Sequence, residues 1–163
     1  MRMTVGDDIL DFSYDANGAP LTMTCNGTVY YYITNLQGDV MSLERADGGG
    51  GAQYAYDAWG NILAMSGTLA ELNPLRYRGY VYDQETGFYY LNSRYYDPAV
   101  GRFINADNQL TMGTLAGVNL FTYCGNDPVN RKDPTGEAWY HWAIGAAVVA
   151  AAAVATVVTC GGF

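Results

Sequence analysis

The sequence predicts an all-β chain of paired hairpins followed by one hydrophobic C-terminal helix, and three observations carry that prediction. The motif Tyr-Asp-x-x-Gly recurs, as Tyr14-Asp15-Ala16-Asn17-Gly18 and Tyr56-Asp57-Ala58-Trp59-Gly60, with a degenerate copy at Tyr32-Ile33-Thr34-Asn35-Leu36-Gln37-Gly38. Tyrosine accounts for 15 of the 163 residues, and half of the chain is apolar. From Ala138 to Cys160 no residue carries a formal charge, and alanine and valine dominate.

The turn glycines stand at 18, 38 and 60, in steps of 20 and 22 residues. A period in that range marks a stacked repeat architecture. Asp or Asn with glycine three residues later is the composition of a type I turn. The carboxylate accepts from turn backbone N–H groups, and the glycine takes the positive φ after them. Tyrosine and β-branched residues on either side favour a pleated, half-buried surface. Each unit is therefore expected to be a β-hairpin, with successive hairpins pairing into one long sheet over residues 1–72. Within this stretch Asp47-Gly48-Gly49-Gly50-Gly51 reads as a flexible hairpin tip or short linker. Residues 67–73 read as a second polar break. Met1-Arg2-Met3-Thr4 runs into Asp7-Asp8 with no apolar leader. Because Phe12-Ser13-Tyr14-Asp15 already belongs to a repeat, the start reads as the middle of an array in a longer protein.

Residues 73–137 form the second segment. Arg76-Tyr77-Arg78-Gly79-Tyr80-Val81-Tyr82 alternates as a strand does, and Asp83-Gln84-Glu85-Thr86-Gly87 makes a turn. Phe88 to Tyr96 returns as the next strand. Asp97-Pro98-Ala99-Val100-Gly101 turns again, and Arg102-Phe103-Ile104 comes next. Pro98 cannot donate to a ladder, which fits a turn. Residues 105–117 read as a loop or short helix, and Val118 to Tyr123 as a strand or helical turn. Asn126-Asp127-Pro128 and Asp133-Pro134-Thr135-Gly136 punctuate the remainder of the segment.

Residues 138–163 form the third segment. As a helix, the uncharged stretch Ala138–Cys160 would span about 35 Å, enough for a bilayer core. Trp139, Tyr140 and Trp142 at one end match an interfacial belt. Ala143, Ala147, Ala151 and Ala155 make a small-residue stripe that lets helices approach closely. A membrane-associating or membrane-inserting helix is the favoured expectation. A buried helix and a short tail are the alternatives.

Pro74-Leu75-Arg76-Tyr77-Arg78-Gly79-Tyr80, Asp83 with Thr86-Gly87-Phe88-Tyr89-Tyr90-Leu91, Arg94-Tyr95-Tyr96-Asp97-Pro98 and Gly101-Arg102-Phe103-Ile104 follow one another. Asn119-Leu120-Phe121-Thr122-Tyr123, Gly125-Asn126-Asp127-Pro128-Val129-Asn130 and Asp133-Pro134-Thr135-Gly136 come after them. This succession strongly resembles the Rhs repeat-associated core of bacterial Rhs/YD-repeat proteins, and the upstream repeats resemble that family's array. The resemblance implies a β-sheet curled into a hollow shell that encloses a C-terminal polymorphic toxin. Such shells serve competition between bacteria or insecticidal toxin delivery. The implied partners are the chain's own C-terminal toxin tip and upstream Rhs repeats. The implied location is secreted or at the bacterial cell surface, with membrane association through Ala138–Cys160.

The resemblance also implies one reaction. Family members cut themselves after the core by an aspartyl mechanism, within a pattern Pro-x-x-x-x-Asp-Pro-x-Gly-Leu. Here it reads Pro128 to Gly136, with Glu137 replacing the leucine. Such chemistry needs two carboxylates that share a proton, one acting as base on water while the other polarises the carbonyl. Asp133 is the best candidate, Asp107 its expected partner and Asp127 a weaker one, with Arg102 stabilising developing charge. At most this is a single-turnover autoprotease near residue 137. The competing reading is that Asp133 and Asp127 cap turns. A different class of function is a membrane-anchored surface adhesin whose Tyr-Asp repeats bind carbohydrate.

A net charge of −8 argues against a nucleic-acid partner, since no basic stripe could neutralise phosphates. Cys25, Cys124 and Cys160 with the lone His141 leave no zinc set, and no cofactor or metal is expected. A Cys25–Cys124 disulfide competes with the reading that the thiols are free and buried. Multiple-turnover nucleophilic catalysis has no Ser–His or Cys–His constellation to work with.

Overall fold

The computed structural model describes residues 1–106, 119–137 and 140–141. Seven strands form one antiparallel sheet in chain order: β1 (Arg2–Val5), β2 (Asp8–Tyr14), β3 (Pro20–Cys25), β4 (Thr28–Thr34), β5 (Val40–Glu44), β6 (Gly50–Tyr56) and β7 (Ile62–Ser66). Side chains alternate across a pleated strand. One face accordingly buries Leu10, Phe12, Met23, Cys25, Tyr32, Leu43, Ala52 and Tyr54, while Ile9, Val29, Tyr31 and Ile33 are exposed on the other. The expected hairpin meander is therefore present.

The turns come in two kinds. Asn26-Gly27 joins β3 to β4 with φ of 48° and 86°, the two-residue hairpin in which both central residues are left-handed. A five-residue turn occurs four times, at residues 15–19, 35–39, 45–49 and 57–61. In each, the first N–H bonds the fifth carbonyl, and the fourth N–H bonds the first carbonyl. The fourth residue is always glycine with positive φ: Gly18, Gly38, Gly48 and Gly60. At three of these turns the first side chain, Asp15, Asn35 or Asp57, accepts two backbone N–H groups at 2.8–3.0 Å. The fourth begins with Arg45, and Asp47 caps it from inside by accepting from Gly49 N–H at 3.0 Å. The glycine run at 47–51 is thus an ordered hairpin tip of the same class as the Tyr-Asp turns.

Three residues beyond each of these glycines the pairing slips by one, leaving Leu21, Met41, Gly51 and Leu63 unpaired. A β-bulge bends its strand and increases local twist. Curvature is therefore written into the repeat itself.

Residues 67–75 fold back under the sheet, and here the structure corrects the sequence reading. Leu69, Ala70 and Leu75 join the core, and Asn73 is fully buried, so residues 67–73 are a core plug and not a polar break. A second antiparallel sheet is made of β8 (Val81–Asp83), β9 (Phe88–Tyr90), β10 (Tyr95–Asp97) and β11 (Arg102–Phe103), again paired in chain order. Arg76 to Tyr82 is not one strand, because Arg78 (φ 55°) and Gly79 (φ 73°) turn the chain between Tyr77 and Tyr80. Phe88 to Tyr96 is not one strand either. Asn92 (φ 63°) reverses it, and Leu91 N–H bonds the Arg94 carbonyl.

β12 (Arg131–Lys132) pairs with β13 (Tyr140–His141). Those two β13 residues are extended where a helix was expected, and the rest of Ala138–Cys160 lies outside the described residues. Among the described residues no helix is long and apolar enough to cross a membrane. Cys25 and Cys124 are free and buried, so they form no disulfide.

The two sheets meet at one repeat turn. Tyr77, Tyr96 and Tyr89 donate their hydroxyls to the successive carbonyls of Ala58, Trp59 and Gly60, at 2.9, 2.7 and 2.9 Å. Behind these phenols lies an aromatic core with Tyr80, Leu91, Phe103, Tyr123 and Cys124.

Candidate functional site

Asp133 comes directly after β12 and is 2% exposed. Its Oδ1 accepts Gly136 N–H at 2.8 Å, which closes a tight turn over residues 133–136. Its Oδ2 lies 3.6 Å from Arg94 Nη2, and both side chains are buried. The turn between β9 and β10 clamps this segment from the other side. Ser93 Oγ and N–H both donate to the Thr135 carbonyl, at 2.7 and 3.3 Å. Arg94 Nε donates to the Gly136 carbonyl, and Nη1 donates to the Leu120 carbonyl at 3.1 Å. The guanidinium stacks 3.7 Å over the Phe103 ring, which fixes its plane. Gly136 has φ 73°, and a Cβ there would stand 2.8 Å from the Leu91 carbonyl and Ser93 Oγ, so no larger residue fits the clamp.

The surroundings are apolar and phenolic. Tyr80 donates to the Asp133 carbonyl at 2.7 Å and lies 3.3 Å from the Tyr123 hydroxyl. Burial raises both phenols well above their ordinary range. Burial pushes the Cys124 thiol up to about 12, with the Asp133 charge adding to the shift and a Tyr123 hydrogen bond opposing it. The thiol therefore stays protonated and is a poor nucleophile.

Chemically, the arrangement holds a peptide carbonyl, that of Gly136, on a buried cation, with a buried carboxylate one turn away. A cation on a carbonyl oxygen stabilises the negative charge that develops there when water attacks. Of the residues expected from sequence, only Asp133 stands here among the described residues. Arg102 is exposed on β11 and makes no hydrogen bond or ion pair with Asp133. Asp127 caps its own turn, accepting from Asn130 N–H and Nδ2 at 3.3 and 3.0 Å, and lies 4.0 Å from Arg131. Asp107 lies outside the described residues. Arg94, and not Arg102, is the arginine beside Asp133, and the sequence reading did not single it out. The signal for it was a charged residue inside the aromatic run of Arg94-Tyr95-Tyr96.

The Teneurin YD-shell family model matches residues 5–129. The tRNA3(Ser)-specific nuclease WapA of Bacillus spizizenii is 39% identical over 133 residues, covering 80% of this chain and 6% of the relative. Among solved structures, the crystal structure of TcdB2-TccC3-Cdc42 matches with a TM-score of 0.69 at 27% identity, over 83% of this chain and 7% of the other. A TcdB2-TccC3 crystal structure without the hypervariable C-terminal region matches with a TM-score of 0.66 at 27% identity, over 79% and 6%. The chain therefore spans only a small fraction, 6% to 7%, of each of these three proteins.

Proposed function

The chain belongs to the Teneurin YD-shell family, and from that premise we propose that it forms the C-terminal core of a bacterial toxin shell, secreted or carried at the cell surface. This core encloses and presents a C-terminal toxin tip and releases it by one aspartyl self-cleavage near residue 137. The shell part is supported by the bulged repeat sheet and by the likeness to TcdB2-TccC3, a structure described as lacking a hypervariable C-terminal region. A shell with a changeable end suits a carrier better than a dedicated enzyme.

The cleavage part is carried by one observation: the Gly136 carbonyl is held by the buried Arg94 beside the buried Asp133. In the reaction, Asp133 and a second carboxylate, Asp107, share one proton. The ionised one takes a proton from water, and the oxygen of that water adds to the Gly136 carbonyl carbon. Arg94 carries the resulting oxyanion. Collapse breaks the bond to Glu137 nitrogen, which takes the proton, and leaves a new carboxylate on Gly136.

The test is the intact mass of the chain extended by a soluble C-terminal tag, beside Asp133→Asn. The expected result is two fragments that place the cut next to Glu137, and a single uncut species in the variant. An uncut wild type would overturn the cleavage and leave a structural shell core with a tethered apolar tail.

A further inference from the structure

The second repeat departs from the Tyr-Asp pattern at both ends of its turn, and both departures serve one neighbour. Position 35 is Asn where the other two repeats have Asp15 and Asp57, and position 39 is Asp where they have Ala19 and Asn61. Asp39 is 6% exposed. Its Oδ1 accepts Arg78 N–H at 3.0 Å and lies 3.5 Å from Arg78 Nε, in a buried ion pair. Asn35 Nδ2 donates to the other Asp39 oxygen at 2.7 Å. An aspartate at 35 would set two carboxylates against each other in that place.

Arg78 reaches across from this pair in two directions. Its Nη1 donates to the Gln37 carbonyl at 3.2 Å, and its Nη2 donates to the Pro128 carbonyl. Gln37 Nε2 donates to the next carbonyl, that of Val129, at 2.6 Å. The Lys132 ammonium lies against Gly38, where a Cβ would stand 3.1 Å from its nitrogen. Burial and the Arg78 charge hold the Lys132 ammonium below its ordinary range. The turn at 35–39, together with the Arg78 it holds, thus contacts residues 128, 129 and 132, and the next residue is Asp133. Among the described residues, the equivalent turn at 15–19 carries no such contact.

We infer that the Asn35–Asp39 turn, locked to Arg78, is a seat for the Pro128–Lys132 segment, and that Asp39, Arg78 and Gln37 are positioning residues for the Asp133 carboxylate. Placement of that carboxylate is thereby coupled to formation of the repeat sheet, because the seat exists only once β4 and β5 have paired. The consequence for cleavage rests on the self-processing reading; the seat itself does not. This also accounts for the degeneracy of the second repeat, whose turn has a duty beyond its own hairpin.

Hydrogen exchange read by mass spectrometry on the full chain, in an uncut Asp133→Asn background, tests the seat. Asp39→Asn is expected to speed exchange across residues 128–136 by about tenfold or more, and Gln37→Ala by less. Asp15→Asn, in the equivalent turn, is expected to leave those residues unchanged. Gln37 is half-buried, so its variant keeps the test usable if Asp39→Asn fails to fold. Unchanged protection at 128–136 in both seat variants overturns the inference, whether or not the chain cuts itself. In chains with Asp133 intact, cleavage is expected to slow about tenfold or more in Asp39→Asn. Asp39→Glu, which keeps the charge, is expected to recover part of the rate. A wild type that cuts and an Asp39→Asn that cuts equally fast would also overturn it. A wild type that does not cut defeats the self-cleavage reading alone, and the exchange comparison then decides the seat.

Discussion

Asn73 sits under the repeat sheet with no exposure and works both ends of its amide. Its Oδ1 accepts from Tyr32 hydroxyl at 2.7 Å and from Leu75 N–H at 3.2 Å, while Nδ2 donates to the Leu75 carbonyl at 2.6 Å and to Tyr54 hydroxyl at 3.2 Å. Asn73→Ala strands the Tyr32 phenol and the Leu75 backbone without solvent, so a loss of about 2–4 kcal/mol is expected in urea unfolding. A loss below about 0.5 kcal/mol, that of a surface change, would contradict this accounting. Titration of the buried groups gives a second outcome. Cys124 and the phenols Tyr32, Tyr56, Tyr80, Tyr89, Tyr96 and Tyr123 are all raised by burial above their ordinary 9.0 and 10.0. The folded chain keeps protons that the unfolded chain releases there, so this stability is complete below about pH 9 and falls as pH rises past it. The thermal midpoint should therefore hold up to about pH 9 and drop between about pH 9 and pH 11, and a flat profile would count against burial of these groups. At the site, Asp133 was legible because Asp-Pro-x-Gly is a local pattern. What separates Arg102 from Arg94 is side-chain direction. Phe103 is buried, and period-two alternation then turns Arg102 outward on β11 while Arg94 stacks on the inner side of that ring.

At the level of the element, the five-residue turn is one design used in different surroundings, and glycine substitution separates the two. Gly18 and Gly60 both have left-handed φ, 80° and 91°. A Cβ on Gly18 would meet nothing within 4 Å, whereas on Gly60 it would stand 2.7 Å from the Tyr77 ring. Gly18→Ala should cost about 1–2 kcal/mol of backbone strain alone. Gly60→Ala adds overpacking against a ring that is itself buried, for about 3–4 kcal/mol in all. Equal midpoints in thermal unfolding would show that the ring yields freely. Turns of this kind were legible in the sequence because Asp and Gly fix them within five residues. Asn26-Gly27 carries an equally local signal that the period in glycines had masked. The strands of the second segment were harder to read, since Arg76–Tyr82 and Phe88–Tyr96 alternate like strands throughout. What breaks them is a left-handed arginine and a left-handed asparagine, and contacts far along the chain add to the local backbone bonds that hold those residues there. Arg78 is held by Asp39, and the turn after Asn92 is packed against residues 135–136.

Across the whole molecule, two cores lie side by side: a mixed one, mostly aliphatic, under the seven-stranded sheet and a mostly aromatic one under the four-stranded sheet. Tyr56 packs against both. Apart from that ring, much of the join is polar, three phenols on three successive carbonyls of the 57–61 turn. Backbone carbonyls are present whatever the side chains, so this recognition tolerates sequence drift in the turn while depending on its shape. The shape in turn depends on Asp57 and Gly60. Replacing Tyr77, Tyr89 and Tyr96 together by phenylalanine keeps the packing and removes the three bonds, at about 1 kcal/mol each. The intact chain is expected to unfold in one transition by far-UV circular dichroism and by aromatic near-UV signal alike. In the triple variant the near-UV transition, which reports the aromatic core, should move to lower urea ahead of the far-UV one. Coincident transitions in the variant would mean that apolar contact through Tyr56 and Trp59 is enough to make the two sheets a single cooperative unit.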